Sequence, residues 1–450
     1  SFQEVDIISI TNAIVKHNFF VTRAEELAGT IRLAFEIANS GRKGPVLVDI
    51  PKDVTAALAE FVPEPRYTRR PDPTPDADAL DLAAKLLAGA ERPLIYCGGG
   101  VTFSDGAPAL QAFAEHIRSP VALSMMGLTA MPSASPLCLG LVGMHGVPAA
   151  NLAVGGCDVL LAVGARFSDR VAGSRARFAE SARVIHIDID PSEFSKNVRA
   201  DVALTGNAAD CLAALQSRLA PARHDAWLRQ IAAWQASRPL PPAESEGGAV
   251  SPREVIRAAG ELAEDNAIVA TDVGQHQMFV AQYYPFSLPR TFLSSCGLGA
   301  MGYGMGAANG AAVGNPGKRV LLFTGDGSFH MDLAELAVAV THRLPIVVFI
   351  MNNRVLGMVH QWQKLFYGGR YAYTELDERR TDFVRLAEAF GARGLRLSRA
   401  EDTRAVLRDA LTTDGPCVVD CVIPFRERVF PIIPPGGAPD DMIYGESEGT

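Results

Sequence analysis

The 450 residues hold no apolar run long enough to cross a bilayer, no cluster of lysine and arginine, and no spacing that pairs the seven cysteines. Each absence closes a class. A membrane-spanning helix needs about 20 consecutive apolar residues, so no membrane role is expected. A net charge of −8 without a basic patch offers nucleic acid no electrostatic footprint. The cysteines are scattered, and two fall inside the apolar run CVVDC at 417–421. That pattern fits a reducing compartment, with the cytoplasm as the expected location. The N-terminal SFQEVDII has no basic n-region, no apolar h-region and no initiator Met, so nothing marks a signal peptide. Short-period repeats are also missing. What remains is 48% hydrophobic and 20% charged, a globular composition. A chain of this length is too long for one core, so two or three domains are expected.

Along the chain, residues 1–55 contain a helical stretch at 25–40, an apolar strand at 45–50 and a turn at Pro51-Lys52-Asp53. That is too little sheet for an independent domain. Residues 56–77 are rich in Pro and Arg and read as an extended linker. Residues 78–220 alternate helix and strand, with a helix at 79–89, strands at 93–97, 120–124, 158–163 and 183–189, and the turn Gly98-Gly99-Gly100. An open parallel sheet covered on both faces is expected there. A second linker spans 221–250, a second β/α unit spans 251–430, and a Pro/Gly-rich acidic tail, 431–450, is expected to drape over a surface or a site.

The strongest chemistry lies in VLLFTGDGSFHMDLAEL at 320–336 and IVVFIMNNRVLGM at 346–358. Two apolar strands end in Gly325-Asp326-Gly327 and in Asn352-Asn353, about 25 residues apart. Asp326 and Asn353 would lie at the carboxyl ends of neighbouring parallel strands, where α/β folds place ligands. A carboxylate and an amide oxygen suit Mg²⁺, which takes few protein ligands and completes its shell from phosphate. The glycines let backbone N–H groups approach that phosphate at a helix N-terminus. Three other stretches stay open on their residues alone. Met301 reads as core filler or as a cofactor contact. Trp362 reads as a buried anchor or a pocket wall, and His276 as a satisfied core histidine or a ligand contact.

GDG followed by NN at this distance resembles the thiamine diphosphate (ThDP) signature. Further stretches narrow the resemblance: QEVDIISITNAIVKHNFFV at 3–21, GPVLVDIPKDV at 44–54, LVGMHGVPAANLAV at 141–154, GARFSDRVAG at 164–173, HIDIDPSEFSKN at 186–197, GQHQM at 274–278 and GMVHQWQ at 357–363. Together they are similar to the acetohydroxyacid (acetolactate) synthase large-subunit family. The resemblance implies an α/β ThDP fold of parallel-sheet, Rossmann-like domains: a remnant of the pyrimidine-binding domain, an FAD-type middle domain and a pyrophosphate-binding domain. It implies decarboxylation of pyruvate and condensation of the two-carbon unit with pyruvate or 2-ketobutyrate, in valine, leucine and isoleucine biosynthesis.

By the same resemblance, Asp326, Asn353 and the Val355 carbonyl would hold Mg²⁺. Gln275, His276, Gly299, Gly327, Ser328 and Met358 would contact ThDP, and Met301 would bend it. Gln3 and Lys52 would come from the partner subunit's first domain, and Trp362 would shape the acceptor pocket. FAD would lie against Arg42, Val142, Gly143, Met144, His145, Gly164, Ala165, Arg166, Phe167, Ser168, Asp188 and Ile189. GGG at 98–100 would let a pyrophosphate approach the backbone.

Three positions depart from the family pattern: Ser168 and Asn207 stand where Asp is usual, and Gly306 where Pro is usual. Altered FAD affinity is expected from the first two and a slight local loosening from the third. The implied partners are small 2-keto acids, a second large subunit in a homodimer or homotetramer, and a small regulatory subunit, with no nucleic acid or membrane. The glutamate that activates the cofactor in this family lies upstream of the motif at residue 3, so these 450 residues alone are expected to make little acetolactate. Two alternatives stand beside this reading: a fragment that only binds FAD or pairs with subunits, and another FAD-containing ThDP carboligase such as glyoxylate carboligase.

Overall fold

A computed structural model describes every residue except 1, 3, 61, 64–70, 245, 246, 377, 379, 380 and 446–450. Its described strands form three parallel sheets. The smallest pairs β1 (His17–Phe20) with β2 (Val46–Asp49). The middle sheet contains β3 (Pro93–Cys97), β4 (Val121–Leu123), β5 (Cys138–Leu141), β6 (Val159–Val163), β7 (Arg183–Asp188) and β8 (Val202–Thr205), in the order β5-β4-β3-β6-β7-β8. The third contains β9 (Ala267–Thr271), β10 (Phe292–Ser294), β11 (Arg319–Gly325), β12 (Ile346–Asn352), β13 (Arg393–Leu397) and β14 (Cys417–Val422), in the order β10-β9-β11-β12-β14-β13. Strand order reverses between β3 and β6 in one sheet and between β9 and β11 in the other. Those reversals open crevices at the carboxyl ends of the strands.

The central strands read as unbroken apolar runs because helices cover both of their faces. β3, β6 and β9 are buried at every residue. Phe323 of β11 pairs with Phe349 of β12, their rings stacked 5.0 Å apart. That contact pins the register one turn before both strands deliver their polar ends. Helix Ala77–Ala88 begins where Asp76 accepts the Ala79 N–H at 2.9 Å. It buries Leu80, Ala83, Ala84 and Leu87, one face of a helix.

Several expectations change. Residues 221–250 are not simply a linker, because a helix runs from Asp225 to Ser237. Trp227 and Trp234, two turns apart on it, meet edge to face at 5.6 Å, and the Trp227 indole donates to the Pro93 carbonyl at 3.0 Å. The turn expected at 51–53 is instead the entry to a short helix, Lys52–Ala56. β5 and β8 were not expected from the sequence; both are short edge strands without a long apolar run. Gly98 and Gly100 are explained by chain packing. A Cβ at Gly98 would lie 2.1 Å from the Gly164 carbonyl oxygen, and one at Gly100 would lie 2.6 Å from the Gly164 Cα. Asn207 caps helix Ala208–Gln216 and donates its amide N–H to Asp72 at 3.0 Å, a bond that an Asp there could not make. Gly306 lies in the first turn of helix Gly304–Gly314, with open space where a side chain would be.

The tail returns across the molecule. Ile433 donates its N–H to the Met144 carbonyl at 2.8 Å, Ile432 pairs with Ile443, and the Gly437 carbonyl accepts from Ser174. It therefore ties the third sheet's domain to the loops after β5 and β6. Among the described residues, no helix is long and apolar enough to cross a membrane.

Candidate functional site

β11 and β12 run in parallel register with Gly325 opposite Met351, so Asp326 and Asn353 leave adjacent strands at the same edge. Asp326 opens helix Asp326–Asp332 and is 5% exposed. Its carboxylate faces the backbone N–H groups of Gly327 and Arg354, which favour its ionised form. Burial pushes its pKa up to about 6, and the Asp420 charge adds to the shift. Asn353 accepts the Val355 N–H on its side-chain oxygen at 3.2 Å. Arg354 sits at φ +59°, a left-handed turn, and Val355 bridges Glu375. The bonds of that bridge run from the Leu356 N–H and to the Arg354 carbonyl, so the Val355 carbonyl stays outside it.

These groups line a cleft of about 530 Å³ at the reversal between β9 and β11. Gln275, His276, Met301, Gly327, Ser328, Val355 and Met358 all line it. Gly299 is not part of this lining. Gln275 has no side-chain donor to spare: its amide N–H groups go to the Gln361 side-chain oxygen and the Glu427 carbonyl, both at 2.9 Å. Only its backbone N–H, at the head of helix Gln275–Tyr283, is left for an anion. Burial drives the His276 pKa down to about 4, against the pull of Asp272, so the ring is neutral. Its Nε2 is buried without a protein partner. Gly357 leaves room for the Gln275 side chain: a Cβ there would fall 2.1 Å from the Gln275 side-chain oxygen and displace it.

This donor set fits Mg²⁺ on a diphosphate. One carboxylate, one amide oxygen and one carbonyl are hard ligands, too few to complete an octahedron. Among the described residues no group of three or more His, Cys, Asp and Glu could hold a metal unaided. The N–H groups at the helix heads supply what an anion needs, and the neutral His276 ring adds a donor only in the tautomer that carries its proton on the orphaned Nε2.

A second, more open cleft of about 1060 Å³ lies between the domains, with Met358 and Val359 lining both clefts. Helix Gly357–Phe366 provides Trp362, and the loop after β6 provides Arg170, whose guanidinium lies 5.8 Å from the Trp362 ring centre. Tyr367 and Arg370 also line this cleft. Among the described residues neither arginine makes an ion pair. The sequence reading missed Arg170, although it is the last residue of the quoted ARFSDR run.

The residues assigned to the flavin lie at the carboxyl edge of the middle sheet. Val142–His145 follow β5, Gly164–Ser168 follow β6, and Asp188 ends β7. Asn151 grips Gly143 from both sides, accepting its N–H at 2.8 Å and donating to its carbonyl at 2.9 Å. Burial lowers the pKa of His145 to about 4, and its Nδ1 has no protein partner. Asp188 is raised by burial and accepts the Asp190 N–H at 2.9 Å. Val142, Ala165 and Phe167 sit in the core, with Phe167 against Tyr96, Phe178 and His186. Their side chains are committed there, so a ligand could meet only their backbone. Arg166 is exposed, and Ser168 and Ile189 are half-buried. Arg42 reaches from the first segment to Glu193 at 3.0 Å. Polar backbone edges, Asp188 and the His145 nitrogen fit a dinucleotide held largely through main chain. Lys52 is exposed and lines neither cleft, and Gln3 lies outside the described residues.

Two family models match the chain: the thiamine pyrophosphate enzyme central domain over residues 80–215 and the C-terminal TPP-binding domain over residues 272–421. The chain is 41% identical to acetolactate synthase 1, chloroplastic, of Oryza sativa subsp. japonica, over 98% of its own length and 71% of the relative's. It is 40% identical to the acetolactate synthase isozyme 2 large subunit of Escherichia coli, over 98% of its own length and 80% of the relative's. An acetolactate synthase large subunit of Parasynechococcus marenigrum is 42% identical, over 98% and 73%.

Proposed function

The chain belongs to the acetolactate synthase large-subunit family, and from that premise we propose that it decarboxylates pyruvate on ThDP and joins the two-carbon unit to pyruvate or 2-ketobutyrate. The observation that carries this reading is the meeting of the two clefts at Met358 and Val359. One holds the groups suited to Mg²⁺ and the other an arginine, without an ion pair among the described residues, beside an indole. When bound, ThDP supplies the carbon nucleophile and the electron sink for loss of CO₂.

The protein supplies the geometry. Asp326, Asn353 and the Val355 carbonyl hold Mg²⁺, and the Gln275 backbone, His276 and Ser328 face the diphosphate. Met301 and Met358 pack against the rings. Arg170 holds a 2-keto acid by its carboxylate, and Trp362 walls the acceptor side. FAD lies along the carboxyl edge of the middle sheet and takes no net part in redox. Gln3 and Lys52 act from the partner subunit's first domain. The assembly is a homodimer or homotetramer with a small regulatory subunit. Free cysteines, none of them fully exposed, support a cytoplasmic setting.

The test is product analysis. Given pyruvate, ThDP, Mg²⁺ and FAD, the protein containing this chain should release acetolactate and leave glyoxylate largely unused. Failure to do so by a preparation that holds both ThDP and FAD would overturn the reading.

Two further outcomes follow. The purified protein should be yellow, and its flavin bands should persist unbleached through many turnovers; bleaching in proportion to product would contradict a redox-neutral role. Trp362→Leu should change the ratio of 2-ketobutyrate to pyruvate products by about 10-fold or more, since one methylene-scale change in a pocket is worth about 1–3 kcal/mol. Competing the two acceptors in one vessel measures it, and an unchanged ratio would place the acceptor wall elsewhere.

A further inference from the structure

We propose that Asp272 is a positioning residue whose carboxylate clamps the loop that aims Met301 into the cofactor cleft. The inference rests on the ThDP reading of that cleft. Met301 sits in a run with little stiffness of its own, between Gly299 at φ +71° and Gly302 at φ +85°. Upstream, the Ser295 hydroxyl accepts the Ala300 N–H at 3.0 Å. Downstream, the hold is Asp272, 1% exposed at the end of β9. One carboxylate oxygen accepts the N–H groups of Gly302 at 2.9 Å and Gly304 at 3.0 Å. The other accepts the Thr324 hydroxyl of β11 at 2.7 Å.

The carboxylate thus joins β11, which delivers Asp326, to the loop that delivers Met301. The fit is close: a Cβ at Gly304 would lie 2.8 Å from the second carboxylate oxygen. Met301 ends near Gly327, its Cε methyl 3.8 Å from where a Cβ on Gly327 would lie. The strand that delivers Asp326 and the loop that carries Met301 therefore share one buried anchor. A charged acceptor holding two backbone donors is strong, and leaving those donors unpaired in the interior is costly.

The test separates ring packing from diphosphate anchoring. Mg²⁺·ThDP and, separately, Mg²⁺·pyrophosphate are titrated calorimetrically into wild type, Asp272→Ala, Asp272→Asn, Met301→Ala and the Asp272→Ala/Met301→Ala double variant. Asp272→Ala should weaken ThDP binding by about 10-fold or more while pyrophosphate stays within about twofold. Asp272→Asn should recover most of the loss, because one amide oxygen can accept both glycine N–H groups while its NH₂ donates to Thr324. The double variant should be no weaker than Met301→Ala alone, since two residues acting through one contact are not additive. Multiplying losses, or an equal loss on pyrophosphate, would overturn the clamp. Should Asp272→Ala not fold, Thr324→Val loosens the same carboxylate and should give a smaller ThDP-specific loss that vanishes in the Met301→Ala background. Wild type that binds pyrophosphate but ThDP no more tightly would instead sink the functional reading.

Discussion

Asp326→Asn is expected to abolish Mg²⁺-dependent ThDP binding while making the cofactor-free protein more stable at neutral pH. The second half follows from burial. In the folded chain the Asp326 carboxyl has a pKa of about 6, against an ordinary value of 3.8. Between those values the folded state holds the proton more tightly than the unfolded chain does. Stability contributed by the neutral form is therefore present at low pH and is lost as pH rises through 6, roughly 3 kcal/mol when fully ionised. A bound cation reverses the sign, because it favours the ionised carboxylate. Asparagine keeps an oxygen for the Gly327 and Arg354 N–H groups but cannot offer the charge.

Wild type should accordingly gain melting temperature from Mg²⁺·ThDP at pH 7.5 and progressively less below pH 6. There, proton competition weakens the apparent metal affinity by about tenfold per pH unit. Asp326→Asn should melt higher than wild type without cofactor and gain nothing from it at any pH. FAD retention should be unchanged, since the residues proposed for it lie on the middle sheet. A variant that still gains melting temperature from Mg²⁺·ThDP would remove Asp326 from the metal site.

This site was largely legible in the sequence because it is built where local pattern and topology coincide. β11 and β12 are central, buried on both faces, and so read as apolar runs that end abruptly in polar residues. What stayed hidden depends on partners remote in sequence. The Gln275 side chain suggests a phosphate contact, yet its donors go to Gln361 and Glu427, 86 and 152 residues away. Phe167 lies in a motif tied to the flavin, but the fold turns it into the aromatic core. Helix Asp225–Ser237 was masked by the Pro-rich segment after it, although Trp227, Ile231 and Trp234 recur at helical spacing. The short edge strands β5 and β8 had no run long enough to announce them. Arg170 and Trp362 meet across the domain boundary, and neither local pattern contains the other.

That last pair carries the second large effect. Arg170→Ala should raise KM for pyruvate about 100-fold and leave Mg²⁺·ThDP binding untouched. Truncating one member of a charge pair at a binding site typically costs about 2–5 kcal/mol. A change in KM with kcat held would mean that the lost interaction was uniform binding of the carboxylate. The Trp362 ring, 5.8 Å away, orients the guanidinium, whose one side-chain bond among the described residues is a weak one to the Met144 sulfur at 3.8 Å. A lysine has neither the planar face nor the paired donors, so Arg170→Lys should recover only part of the loss. The discriminating acceptor is an aldehyde that lacks a carboxylate. Competed against a 2-keto acid, it should take a larger share of product in Arg170→Ala than in wild type, because only its rival has lost a contact. If both acceptors weaken equally, Arg170 serves to hold the two domains together, and the carboxylate is bound by another cation, with Arg370 of the same cleft the alternative.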